Sequence, residues 1–205
     1  LLATLLSLAD YPALRKRLAE LRKQGVLAGI GLACFIDKAG TGPSGNLAKR
    51  GGLHGGWESA VVRVHSDGKV TVFAGSHSHG QGHDITFAQI AADRLGLGID
   101  DIGVVEGDTD RVPFGNGTWG ARSTSVAGTA IYRACDQVVA KARRIAAEAL
   151  ECAADDIVQD GARFNVRGTD RAIGFAEVAD IAYHGAKLPA DGSFGPGLEA
   201  TEFYD

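Results

Sequence analysis

VTVFAGSHSHGQGHDITFAQIAADRLG, residues 70–96, is the stretch that decides the fold. Val70 and Val72 alternate with Lys69 and Thr71, the period-two pattern of a half-buried strand. From roughly residue 84 to 96, Phe87, Ile90, Ala91 and Leu95 make an apolar stripe at helical spacing, and Gly96 is placed to end the helix. Between the two, GSHSHGQGHD brings glycines and histidines to the mouth of the helix. A helix N-terminus presents unpaired N–H groups and about half a positive charge, and glycine lets backbone approach a ligand with no Cβ in the way. The turn is open to three readings: a metal site, a cradle for an anionic ligand, or an ordinary turn.

Outward from this stretch the order is consistent. WESAVVRVHSDGKVTVFAGS, residues 57–76, is a predicted hairpin whose turn is Ser66-Asp67-Gly68-Lys69. IGVVEGD is a short strand, and RVPFGNGTWGARS is a second glycine-rich loop. It opens a long helix from about Ser123 to Leu150 with a small-residue face at Ala127, Ala130 and Ala134. Strand, glycine-rich loop and helix N-terminus thus occur twice, at 70–86 and 103–125. GNGTWG, residues 115–120, matches G-x-G-x-x-G, but a dinucleotide fingerprint also needs a second strand ending in an acid about 20 residues on. The long helix runs past that distance, so a Rossmann site is rejected. The physics of phosphate capture remains. Arg122 could add a bidentate oxyanion donor, or make only a surface ion pair. Ser123 and Thr124 could bond a phosphate or merely cap the helix.

Other candidates are weaker. His77, His79 and His83 are separated by Gly80 and Gly82, which argue against a fixed ligand geometry, so no protein-ligated metal is expected. The Gln81 amide can both donate and accept, suiting a heterocycle edge. Asp108 and Asp110 are read as closing a turn. Upstream, DYPALRKRLAELRKQ, residues 10–24, is an amphipathic helix through Leu14, Leu18 and Leu21, with a solvated basic face, stopped by Gly25. VLAGIGLACFID, residues 26–37, reads as a buried strand, and 38–56 as a loop. Beyond the long helix come two short strands, a helix near 174–184 and a Gly/Pro-rich tail.

The chain of 205 residues is 45% hydrophobic and 22% charged, ordinary for a globular protein, and its net charge of −4 gives no basic footprint for nucleic acid. Its three cysteines are far apart with no C-x-x-C pair, which argues against a disulfide framework or a thiolate metal site and fits a reducing cytoplasm. The opening LLATLLSLAD is too short for a membrane span and lacks the basic leader of a signal peptide. With no Met and an abrupt EATEFYD ending, both ends are expected to be cuts through a longer polypeptide.

Three stretches together carry a resemblance: GQGHDITFAQIAADRLG, EGDTDRVPFGNGTWGARSTSVAG and GPGLEATEFYD. They resemble the molybdopterin-binding large subunit of the molybdenum hydroxylase (xanthine oxidase and aldehyde oxidase) family, nearest its aerobic carbon monoxide dehydrogenase branch. The resemblance runs from about residue 26 to the end. It implies a molybdopterin cofactor, in bacteria usually the cytosine dinucleotide form. It also implies oxidation of a small-molecule substrate (CO, an aldehyde or an N-heterocycle), with electrons leaving to iron–sulfur clusters and FAD on partner subunits in a dimer of heterotrimers. By the same resemblance Gln81 is the candidate catalytic residue, and His79, Gly80, Gln81, Gly82, His83 and Thr86 hold the cofactor from the first loop. Trp119, Gly120, Ala121, Arg122, Ser123 and Thr124 would hold it from the second, with Arg122 at the pyrophosphate. The chain departs from the family pattern at His79, where Gln is frequent, at Ala121, where Ser is usual, and at Trp119, where Tyr is common. The family's active-site loop and base glutamate are expected outside this chain, so the isolated segment is expected to be inactive.

The expected fold is α+β, with mixed sheets, β-hairpins and packed helices. Residues 1–205 form one segment of a molybdopterin-binding domain: an N-terminal helix at 1–25 and a cofactor-binding core at 26–205, truncated at both ends. The alternative function is a non-catalytic scaffold domain that binds a nucleotide-like anion.

Overall fold

A computed structural model describes all residues except 38, 41, 186, 187 and 190–194. The chain divides into two units, Leu1–Ile36 and Asp37–Asp205. In the first, α1 (Leu2–Leu8) precedes α2 (Tyr11–Lys23), whose N-cap Asp10 accepts from the Ala13 N–H at 3.3 Å. Leu14, Leu18 and Leu21 are half-buried, together with Tyr11, and the basic residues are exposed, as the spacing predicts. Past Gly25, the Val26 N–H bonds back to the Leu21 carbonyl and ends the helix. Residues 26–36 correct the sequence reading. They form no strand and are largely exposed, with Leu27 and Ile36 fully so. An apolar run becomes a strand only where its N–H and C=O groups meet a ladder, and none of these residues enters a sheet.

The second unit is built on a four-stranded sheet. Its order is β3 (Ile102–Glu106), β2 (Val70–Ala74), β1 (Glu58–Val64), β4 (Leu198–Tyr204). The predicted hairpin is present, with Val62 opposite Val72, and Lys69 N–H bonding Asp67 Oδ1 at 3.0 Å in the turn. β4 pairs antiparallel along the other edge of β1, placing Ala200 opposite Val62. This strand lies in what the sequence presents as a Gly/Pro-rich tail. β2 and β3 run parallel, joined by α3 (His83–Leu95). α4 (Ser123–Ala149) spans 27 residues. A smaller antiparallel sheet follows: β5 (Ile157–Asp160), β6 (Arg163–Val166) and β7 (Ala172–Gly174). It leads into α5 (Phe175–His184). A short helix, α6 (Ser44–Lys49), lies in the stretch read as a loop.

The core forms where α3 and α4 lie on the sheet. Ala60, Val62 and Val64 of β1 and Val70 and Val72 of β2 face Phe87, Ala91 and Leu95 of α3 and Ala127, Ala130, Ile131 and Ala134 of α4. The alanine face lets α4 sit close to its neighbours, and the β-branched residues fill the sheet side. The α+β expectation holds: mixed and antiparallel sheets with packed helices. Among the described residues, no helix is long and apolar enough to cross a membrane.

Cys135 lies in this core at 0% exposure, and burial pushes its thiol up to about 12. The folded thiol therefore holds its proton more tightly than the unfolded one. That contribution to stability is complete below the ordinary thiol range and is lost as pH rises from there towards 12. At pH 8 an aromatic disulfide reagent should label the exposed Cys34 at once and Cys135 only as the protein unfolds. Mass mapping over time checks the order; equal rates would contradict the buried assignment.

Candidate functional site

β2 and β3 are parallel and in register from Val70 opposite Ile102 to Ala74 opposite Glu106. Loops 75–82 and 107–122 therefore leave the same end of the sheet, and α3 and α4 start there. The crevice beyond the carboxyl ends of parallel strands is where open sheets bind ligands. The loops are held backbone to backbone at Gly75 and Gly115. A Cβ on Gly75 would overlap the Phe114 carbonyl and Glu58 Oε1, and one on Gly115 would overlap the Gly75 backbone. Thr118 joins them again: its Oγ1 accepts from His77 N–H at 3.0 Å and donates to the His77 carbonyl at 2.7 Å. Ser123 Oγ lies 3.3 Å from the same oxygen. Between the loops lies a cleft of about 460 Å³, lined by Gly75, His77, Asp108, Asn116 and Gly117 among others. Asp108 Oδ1 accepts from Asp110 N–H at 3.0 Å, so this pair closes a turn as read from the sequence.

Beneath the loops is a buried ion pair. Arg122 (1% exposed) donates from Nη1 to Glu58 Oε2 (0% exposed) at 2.7 Å. Its other donors reach the carbonyls of Gly117, Gly56 and Trp57. Glu58 also accepts from Asn116 N–H at 3.2 Å, and Ser76 Oγ lies 3.4 Å from its second oxygen. One carboxylate on β1 thus anchors both loops. This corrects two expectations. Arg122 is neither a surface ion pair nor a donor facing a pyrophosphate, because its guanidinium is turned inward onto four acceptors. Ser123 is not the N-cap: it is the first residue of α4, Arg122 holds the cap position, and no side chain caps the helix.

The remaining candidates divide by loop. In the first, His79 and Gly80 are exposed, and Gly80 and Gly82 have φ of 95° and 80° with nothing within 4 Å of a Cβ built on either. Gln81 is exposed. Its Oε1 accepts from His79 N–H, and its Nε2 lies 3.0 Å from His83 Nε2. His83 is buried, stacked on Phe87, and its Nδ1 lies 3.0 Å from Glu106 Oε2. Thr86 Oγ1 bonds back to the Gly82 carbonyl at 3.0 Å. His79 and His77 meet through their Nε2 atoms at 2.7 Å. Among the described residues, no group of three or more His, Cys, Asp or Glu could hold a metal ion. In the second loop, Trp119 is partly exposed, donates from Nε1 to the Asn116 carbonyl, and lies 5.5 Å beneath the Arg122 guanidinium. The Gly120 carbonyl accepts from Gly40 N–H. Ala121 has φ of 53°, a left-handed conformation a non-glycine residue rarely adopts, and Thr124 is exposed.

Sequence reasoning missed Glu58, Glu106 and Thr118. Glu58 was detectable in principle: it is the lone carboxylate of a strand that is mostly apolar, and a carboxylate buried there needs a cation beside it. The pairing of Glu106 with His83 and of Thr118 with His77 depends on the parallel register.

The donor set fits an anionic, nucleotide-like group. Two helices begin side by side without a side-chain cap, and open glycines surround the first. α3 already carries Asp84 in its first turn, whereas α4 has no acidic residue in its own. The N-terminus of α4 is the one left to attract negative charge.

An α+β domain with this crevice has the form of a cofactor cradle. Residues 4–205 match the model of the molybdopterin cofactor-binding domain, and the chain belongs to that family. It is 42% identical to the carbon monoxide dehydrogenase large chain of Hydrogenophaga pseudoflava, over 100% of this chain and 25% of that protein. It is 36% identical to the nicotine 6-hydroxylase large subunit of Paenarthrobacter nicotinovorans, over 97% of this chain and 24% of that one. The structure of reconstituted CO dehydrogenase from Oligotropha carboxidovorans matches with a TM-score of 0.76 at 38% identity, over 99% of this chain and 25% of that chain. The chain thus spans about a quarter of the length of these relatives.

Replacing Arg122 by Ala leaves the Glu58 carboxylate buried without its cation. Such a change is expected to lower stability by about 3–5 kcal/mol. Denaturant titration of the variant against wild type measures it, and a loss below about 1 kcal/mol would show the pair to be solvated.

Proposed function

We propose that this chain is the segment of a molybdenum hydroxylase large subunit that cradles a molybdopterin dinucleotide. The observation that carries the reading is the pair of uncapped helix N-termini launched from adjacent parallel strands. The diphosphate lies at the start of α4, held by the backbone N–H groups of Ser123 and Thr124 and by the Thr124 hydroxyl. Arg122 shapes that turn from behind through Glu58, Gly56 and Trp57. Trp119, Gly120 and Ala121 form the wall, and the αL backbone at Ala121 turns the chain into the helix. The pterin side faces Gln81, whose amide offers a donor and an acceptor to a heterocycle edge. His79, Gly80, Gly82, His83 and Thr86 complete that loop. When bound, the cofactor supplies the two-electron redox chemistry; these residues bind it, orient it and exclude water.

In the full-length protein the reading extends to oxidation of a small molecule, with electrons passed to iron–sulfur and FAD subunits in a dimer of heterotrimers in the cytoplasm. The similarity to carbon monoxide dehydrogenase large chains favours CO, and the similarity to nicotine 6-hydroxylase keeps an N-heterocycle as the second candidate. The cytosine dinucleotide is the proposed cofactor form. Elemental and nucleotide analysis of the full-length protein from its native host tests this. Molybdenum near one per large chain, with CMP released by acid, is the expected result. Absence of both from folded, assembled protein would move the assignment to a scaffold domain.

A further inference from the structure

The hydrogen bonds around Gln81 settle a question of proton position. The His79 backbone N–H can only donate, so the Gln81 atom it meets is the carbonyl oxygen Oε1. The other end of the amide is then an NH2 group, which can only donate, and it faces His83 Nε2 at 3.0 Å. His83 Nε2 must accept, so the ring proton sits on Nδ1 and is donated to Glu106 Oε2 at 3.0 Å. Glu106 and His83 have side chains only 9% and 7% exposed, whereas Gln81 is exposed. A buried carboxylate and imidazole therefore set the orientation of a solvent-facing amide. One amide hydrogen and one carbonyl lone pair of Gln81 remain for a ligand.

We propose that Glu106 and His83 are positioning residues for Gln81. Glu106 fixes the imidazole tautomer, and His83 fixes which end of the Gln81 amide faces the ligand. The proposal rests on the reading in which Gln81 meets the cofactor. The placement follows from the fold: Glu106 ends β3, His83 begins α3, and the parallel pairing of β2 with β3 brings the two within reach. Partners that orient a ligating group commonly change affinity when removed although they never touch the ligand.

The test uses the full-length protein from its native host and reads how fast molybdenum and nucleotide are lost on dialysis. The variants are Gln81→Ala, the pair His83→Phe with Glu106→Leu, and all three changes together. The paired change keeps a ring on Phe87 and leaves no buried group unpartnered, so the fold should survive. Gln81→Ala and the paired change should each speed loss about tenfold, and the triple variant no further than Gln81→Ala alone. Additive loss in the triple variant would overturn the proposal. Fast loss from Gln81→Ala with wild-type loss from the paired change would overturn the positioning role and leave the cofactor reading standing. Wild-type loss from Gln81→Ala would remove both. Should the paired variant not fold, Glu106→Gln keeps an acceptor for Nδ1–H and should stay within about twofold of wild type, while Glu106→Leu should match Gln81→Ala. Equal rates for Glu106→Gln and Glu106→Leu would also overturn it.

Discussion

The ion pair between Glu58 and Arg122 is the constraint on which the functional end of this domain depends. Both groups are fully buried, and burial of either alone would be strongly unfavourable. Together they fix the beginning of β1, the loop after β2 and the loop after β3, because the carboxylate also holds Asn116 and the guanidinium holds three carbonyls. A glycine-rich loop left to itself samples many conformations. Here the Gly117 carbonyl is committed to Arg122 and the Asn116 N–H to Glu58, so the N–H groups at the start of α4 point from a defined position.

The two loops then differ in kind. The second is held from inside by Arg122 and leads into a helix with no acidic residue in its first turn. The first is more open, carries Asp84 at the start of its helix, and is braced through side chains: Gln81 on His79 and His83, and His83 on Glu106. Charge thus assigns the stronger attraction for an anion to the second loop, whose helix has no acidic residue in its first turn. That assignment is consistent with membership of the molybdopterin cofactor-binding family and rests on residues present in this quarter of the relatives' length.

Much of the fold was legible. The hairpin, α3 with its glycine stop, β3 and the long α4 follow from periodicities of two and 3.6 and from glycine at the ends. Two misreadings of strands share one cause. Residues 26–37 have strand composition but no strand, and residues 198–204 read as a tail but pair with β1. Strand formation depends on a partner, which composition does not reveal. The site was legible to the same degree. The two loops were located by their glycines and the helices behind them, whereas the direction of Arg122 was not, because an arginine before a helix can serve a ligand or a buried acid equally well.

By itself the sequence determined where the longer helices α2, α3, α4 and α5 lie, which loops are glycine-rich, and that two such loops open helices, because these are local properties of spacing and side-chain size. Only the tertiary structure decided that the two loops share one end of the sheet, since that follows from the parallel pairing of β2 with β3. It alone turned Arg122 inward to Glu58 across 64 residues of chain, and His83 to Glu106 across 23. Such pairings are set by which charges burial brings together, and a carboxylate carries no mark of its partner until the strands are in register.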